Sequence, residues 1–213
     1  MNARTRPEAP RKAPTQLDFF AEPETLPSGF RYAPNLIGAE EAAELATRLA
    51  DLPFQPFDFH GHLANRRVVG FGLRYDDANR RIMEAPPTPG WLMSLRERVG
   101  LFAARAPESF VQVLINEYRP GAGIGWHRDK AHFDEVVGVS LLVPCTLRFR
   151  RQTGDTWDRR SLTIDPCSAY LLSGPSRTIW EHSIPPLERH RYSITFRTLA
   201  KTLDHDDPPT SAL

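Results

Sequence analysis

Cysteine is nearly missing from the 213-residue chain, with Cys145 and Cys167 the only two. That is too few for a disulfide framework or an all-cysteine zinc site. Long apolar runs are missing too: none approaches the roughly 18 residues of a membrane-spanning helix. The Arg- and Pro-bearing N-terminus has no signal-peptide hydrophobic region, so a cytoplasmic location with no membrane partner is expected. Lysine is scarce, since only Lys12, Lys130 and Lys201 stand among 27 basic residues and the rest are Arg. Set against 26 acidic residues they leave a net charge of +1, which excludes a global field drawing the protein onto nucleic acid. A GC-rich genome is enough to explain the Arg bias, but Arg is also the side chain that forks onto carboxylates and phosphates, so its clusters matter. What is present in quantity is an apolar set: 40% hydrophobic residues with four Trp and twelve Phe excludes a disordered chain.

Proline punctuates the ends. Residues 1–28 hold Pro7, Pro10, Pro14, Pro23 and Pro27 without an apolar period and read as a tail, as do residues 204–213. One domain is expected over 29–203. Ala42, Leu45 and Leu49 predict a helix over residues 39–51, and Leu92, Leu95, Val99 and Phe102 predict another over 91–104. Short strand signals at 68–71 and 73–75 lie between them. Beyond residue 109 short Val-, Ile-, Phe- and Thr-rich runs alternate with turn signals, at 110–118, 136–143, 146–151, 161–164, 169–173, 178–184 and 191–199. The pattern predicts a mainly β (α+β) fold: a sandwich or jelly-roll barrel with the two helices packed outside.

Chemistry concentrates after a Gly-rich turn, in Trp126-His127-Arg128-Asp129. In extended chain, residues two apart share a side, so His127 and Asp129 can approach one point. His182 follows in a later strand. Two His and one carboxylate on one face form the facial set that binds non-heme Fe(II) and leaves positions open, although His-x-Asp alone is a weak signal. The last strand adds to it. Period 2 puts Arg191, Ser193, Thr195 and Arg197 on one face and Tyr192, Ile194 and Phe196 on the other. Two inward Arg cost several kcal/mol each if unpaired, so an anion is expected between them unless they line a solvated edge. Their α-carbons would stand about 20 Å apart, which suits bracketing a small diacid. Asn116 and Tyr118 share a face on the strand leading into the turn and would add hydrogen bonds.

Asn-x-Tyr, His-x-Asp, a distal His and Arg-Tyr-x-x-Thr-Phe-Arg, in this order, resemble the AlkB family of Fe(II)- and 2-oxoglutarate-dependent dioxygenases, over about residues 28–200. The resemblance implies a double-stranded β-helix core with flanking N-terminal helices. It implies Fe(II) on His127, Asp129 and His182, and 2-oxoglutarate with its distal carboxylate on Arg191. Arg197, Asn116 and Tyr118 would hold the metal-proximal end, with O₂ as co-reactant. The family prototype has Asn at the position of Ser193. The implied reaction turns 2-oxoglutarate into succinate and CO₂ and oxidises an N-alkyl group on a nucleobase of DNA or RNA, which then leaves as an aldehyde. Some members of the family act on proteins, so a protein-directed dioxygenase is the alternative, and a metal-free binding domain a weaker one.

Arg66, Arg67, Arg74, Arg80 and Arg81 interleave with Phe71 and Tyr75 ahead of the core, a mixture suited to a strand-tracking surface, although both aromatics also fit a core. Arg66 and Arg67 are candidate phosphate contacts, Phe71 and Tyr75 candidate stacking platforms, and Trp126 a further substrate contact. A second cluster, Arg148, Arg150, Arg151, Arg159 and Arg160, would grip phosphates or merely solvate a hairpin. His60 and His62 lack a third ligand nearby and read as loop residues. Gln16-Leu17-Asp18-Phe19-Phe20 is similar to the peptides by which bacterial repair proteins dock on the sliding clamp, or is a tail segment packing on its own domain.

Overall fold

Among the described residues, two helices and twelve strands carry most of the buried apolar side chains. The computed structural model describes residues 26–59, 62–76 and 81–200. Most of the first tail, Gln16 to Phe20, His60, Arg80 and the second tail lie outside the described residues, as does the side chain of His62. Helix α1 (Ala39–Ala50) buries Leu45 and Leu49, with Glu40 and Glu41 in its first turn and Arg48 in its last, charges that oppose the helix dipole. Helix α2 (Met93–Ala103), entered through a 3-10 turn at Gly90–Leu92, buries Leu95, Val99 and Ala103. Arg98 of α2 ion-pairs with Glu41 of α1. Neither helix is long and apolar enough to cross a membrane.

The strands are β1 (Phe30–Ala33), β2 (Gln55–Phe59), β3 (His62–Asp76), β4 (Arg81–Glu84), β5 (Phe110–Tyr118) and β6 (Ile124–His127) in the first half. There follow β7 (Phe133–Leu141), β8 (Cys145–Thr153), β9 (Thr156–Ile164), β10 (Ala169–Leu172), β11 (Glu181–Ile184) and β12 (Arg191–Leu199). The larger sheet runs β1-β10-β7-β12-β5-β3-β2 with β4 paired to β3; the smaller runs β6-β11-β8-β9. This is the expected jelly roll.

Strand alternation sorts the larger sheet into two faces. Val113, Ile115, Val139, Tyr192, Ile194 and Phe196 pack with Leu45, Leu49, Leu95 and Val99 of the helices. Tyr118, Val136, Tyr170 and Leu172 meet Cys145, Leu147, Phe149 and Ile164 of the smaller sheet. Each such side chain contributes about 1.5–3 kcal/mol by leaving water. By the same alternation Gln112 and Asn116, and Arg191, Ser193, Thr195 and Arg197, also face the smaller sheet. Gly138 on β7 admits the Tyr170 ring, since a β-carbon there would lie 2.4 Å from it.

Two local expectations change. The signals at 68–71 and 73–75 belong to a single strand, β3, bent at Gly72, whose φ of +80° and approach to Val111 leave no room for a side chain. The strand expected over 178–184 begins only at Glu181. Gly174 at φ +50° and Pro175 first start a helical turn, α3 (Pro175–Thr178), with the Thr178 hydroxyl closing back on Gly174 O at 3.0 Å.

Candidate metal centre

β6 and β11 are neighbours, and their register sets His127 directly opposite His182, with ring centroids 4.3 Å apart. Asp129 follows two residues past the end of β6. One ligand atom from each of the three residues lies within 4.8 Å of the other two. His127 Nδ1 sits 2.9 Å from Gly125 O. A proton on that nitrogen donates to the carbonyl and leaves the lone pair of Nε2 for a metal. His182 is 7% exposed, and burial pulls its pKa down to about 4 against the attraction of Asp129. It is therefore the neutral, ligating form at pH 7. Burial alone would raise the Asp129 carboxyl. Arg197 above all, then His182, His127 and Arg177, hold it well below the ordinary carboxylate range instead. An N,N,O set with open positions suits Fe(II).

The polar face beside this set is cationic. Arg191 is wholly buried, donates from Nε to Ser140 Oγ at 3.2 Å, and leaves both terminal nitrogens without a partner. A guanidinium so placed costs several kcal/mol unless an anion joins it. Its two terminal N–H groups match the two-oxygen edge of a carboxylate. Arg197 donates to Gln112 Oε1 at 2.9 Å and to Asp129 Oδ1 at 3.3 Å. It therefore stands at the metal end of the face, and Arg191 stands at the other.

A protein-family profile described as the 2OG-Fe(II) oxygenase superfamily matches residues 29–197. The chain belongs to that superfamily. Among curated relatives it is 31% identical over 150 residues to the alkylated DNA repair protein ALKBH8 homolog of Arabidopsis thaliana, covering 58% of this chain and 42% of that protein. It is 29% identical over 177 residues to the mouse (Mus musculus) tRNA (carboxymethyluridine(34)-5-O)-methyltransferase ALKBH8, covering 76% and 25%. With the alpha-ketoglutarate-dependent dioxygenase AlkB of Salmonella typhimurium it shares 34% over 106 residues, covering 41% and 45%. The chain thus spans less than half the length of these relatives. The solved structure of OsALKBH1 superposes with a TM-score of 0.60 at 18% identity, covering 82% of this chain and 98% of that one. This AlkB-like 2OG-Fe(II) oxygenase therefore belongs with enzymes whose cofactors are Fe(II), 2-oxoglutarate and O₂, and its own His-Asp-His set and buried Arg191 fit the metal and a dicarboxylate.

The oxygenase brings some sequence candidates together and separates others. His127, Asp129, His182, Asn116, Tyr118, Arg191 and Arg197 line one inter-sheet space. Arg66 joins them, donating to Asn116 Oδ1 at 2.8 Å rather than reaching toward a surface phosphate. Arg67, one residue on, turns to the opposite face, away from the His127-Asp129-His182 set, and pairs with Glu117 at 2.5 Å. Phe71 is 8% exposed in the helix-side core, so it is no stacking platform. Tyr75 stacks on His132 at 3.5 Å between centroids, beside the Asp129 loop. Trp126 lies under Arg148 and Arg150, at 5.1 and 4.6 Å.

Three polar residues escaped sequence reading. Gln112 shares the parity of Asn116 and Tyr118 on β5, a signal that was available. Ser140 sits in an apolar strand and shows itself only through Arg191. Arg177, 3% exposed, donates to Lys130 O and to Phe133 O, the latter at 2.7 Å. It ties down both ends of the segment after Asp129, and nothing local in the sequence marks it.

Proposed function

We propose that this oxygenase removes N-alkyl groups from nucleobases of DNA or RNA. The observation that carries the dioxygenase part is Arg191: a fully buried guanidinium with two unpartnered nitrogens, turned from the larger sheet toward the smaller one that carries His127 and His182. His127, Asp129 and His182 would hold Fe(II), and Arg197 keeps Asp129 ionised and oriented. Arg191 would take the distal carboxylate of 2-oxoglutarate, its guanidinium fixed by Ser140 and by Tyr118, which stands opposite Arg191 rather than at the metal-proximal end expected from the sequence. Bound iron and 2-oxoglutarate would supply oxidising chemistry in which one O₂ is spent, one oxygen atom going to succinate as 2-oxoglutarate loses CO₂ and the other to the N-alkyl carbon, which then leaves as an aldehyde. The chain's own residues bind, orient and keep the pocket dry. No general base is needed, and burial raises the Cys145 thiol, which removes it as a nucleophile at neutral pH.

The substrate class is supported by the relatives, whose names speak of alkylated DNA repair, of tRNA and of AlkB. Likeness to a Pseudomonas putida prolyl-4-hydroxylase, at 13% identity and a TM-score of 0.55 over 81% of this chain and 93% of that one, concerns fold alone. The test is formaldehyde and succinate release by the iron-loaded protein with methyladenine and methylcytosine oligonucleotides, set against methylated lysine peptides. Release with the oligonucleotides is expected. Turnover of the peptides with the oligonucleotides untouched would overturn the reading.

A further inference from the structure

Arg148 and Arg150 of β8 alternate with the buried Leu147 and Phe149, so they lie on the outer face of the smaller sheet. Across the ladder Arg148 faces Ser161, Arg150 faces Arg159, and Gln152 faces Trp157. The Arg150 guanidinium lies over two indoles, 4.6 Å from Trp126 and 4.3 Å from Trp157. Its charge is matched by Glu181 at 2.6 Å; Arg151 and Arg160, which share Asp158, have the parity of Phe149 and lie on the opposite face. Arg148 and Arg159 are different. Arg148 donates to the Ser183 hydroxyl at 3.1 Å, and neither it nor Arg159 meets a carboxylate among the described residues. Beside Arg148 opens a hollow of about 460 Å³ bordered by Gly121, Gly123, Gly125 and Asn65. Trp126 precedes His127 on β6, an edge strand of the smaller sheet, so this face backs the strands that carry His127 and His182.

We propose that the outer face of β6, β11, β8 and β9 is a track for the single-stranded nucleic acid flanking the target base. The proposal rests on the nucleobase substrate argued above and adds where the rest of the strand lies. On this face Arg148, Arg150 and Arg159 stand against the one carboxylate that touches them, Glu181, and leave an uncompensated positive row, complementary to a phosphate backbone. Trp157, 39% exposed, offers a planar surface for a base, which an acidic peptide would not use. Arg148 and Arg159 would meet phosphates, and Arg150 holds the indoles in place.

The experiment compares wild type with the Arg148→Ala/Arg159→Ala double variant and with Trp157→Ala, as iron-loaded full chain. The substrates are an N-methylated single strand of about 15 nucleotides, long enough to cover such a track, and a methylated trinucleotide. For the double variant, KM for the long strand is expected to rise about tenfold, with the salt slope lower by about one for each phosphate that no longer meets a guanidinium. Trp157→Ala should weaken the long strand by about five- to a hundredfold at unchanged salt slope. Trinucleotide kinetics and succinate release without substrate should stay at wild-type values in both, which also shows that the variants fold. Equal KM and salt slope for the long strand in wild type and variants would overturn the track while leaving the nucleobase reading intact. An equal loss on the trinucleotide would also overturn it, because the effect would then belong to the centre. No turnover of either nucleic acid by wild type is the separate failure of the nucleobase reading.

Discussion

Arg191 and Tyr118 face each other across the β12–β5 ladder, and the guanidinium lies 5.1 Å over the phenol ring. The ring supplies a face but no negative charge, so the site is set for an anion from outside. Arg191→Met keeps the bulk and removes the charge. It should raise the Kd for 2-oxoglutarate by about thirtyfold or more, corresponding to at least about 2 kcal/mol for a desolvated pair losing one partner. Melting without 2-oxoglutarate should stay level or rise, because an unpaired buried charge has gone. Wild-type 2-oxoglutarate affinity in this variant, read by calorimetry with iron affinity as the control, would refute the anchor role.

The metal set predicts a different pattern. Asp129→Ala leaves Arg197 with Gln112 as its remaining partner and takes away the one anionic ligand. His182→Ala removes a ligand that the fold already holds neutral. Both variants should lose turnover and measurable Fe(II) binding in anaerobic titration, while far-UV circular dichroism stays at the wild-type signal. Retained activity with iron bound in either variant would sink the assignment.

How much of this was legible beforehand depended on how locally each feature is encoded. β5 and β12 were readable to the residue because each has a full period-2 pattern bounded by turn residues. The meeting of His127, Asp129 and His182 was readable because the first two are close in sequence and His182 lies in a strand of its own. β1, β2, β4 and β6 were not. They are short, β2 is interrupted by Pro56 and β6 by Gly125, and β1 and β6 gain their order from β10 and β11 rather than from their own pattern. Arg66 and Phe71 misled for a related reason. A strand in a two-faced sheet turns successive residues to different compartments, and composition reports the cluster without reporting the faces. The kink at Gly72 adds to this.

Glu117 gives the pH dependence. Burial would raise its carboxyl, but the hydrogen bond and charge of Arg67, helped by Arg119 and His190, hold it below its ordinary value. A carboxyl with a lowered folded pKa releases its proton more readily folded than unfolded. Its stabilisation is fully present above the unfolded value of about 4.5 and disappears as pH falls through the folded one. Glu117→Gln, which keeps the shape, should cost about 1–3 kcal/mol at pH 7. In urea unfolding across pH 3–7 the gap between wild type and variant should close toward the acid end. A gap of constant size would show that the ion pair does not contribute.

Arg66 and Arg67 are neighbours on β3 with opposite assignments, and a paired substitution separates them. Arg66 faces the inter-sheet space, bonded to Asn116 at 2.8 Å and to the Tyr118 hydroxyl, and burial lowers its pKa while Arg197 lowers it further. It is thus a third guanidinium held against the repulsion of Arg197, and its cost is offset by Tyr118 and Asp129. Arg67 faces the helix side, its guanidinium 5.6 Å over the Phe54 ring and paired with Glu117. Arg66→Gln should therefore leave the denaturant midpoint near wild type and impair 2-oxoglutarate binding or coupled turnover, since Asn116 and Tyr118 lose the donor that orients them. Arg67→Gln should lower the denaturant midpoint and leave the kinetics alone. Neither should change the salt slope of oligonucleotide binding, because Arg66 turns into the inter-sheet space and the charge of Arg67 is matched by Glu117. A fall of about one in that slope for Arg67→Gln would return it to the substrate-contacting surface and overturn its assignment to the Glu117 pair.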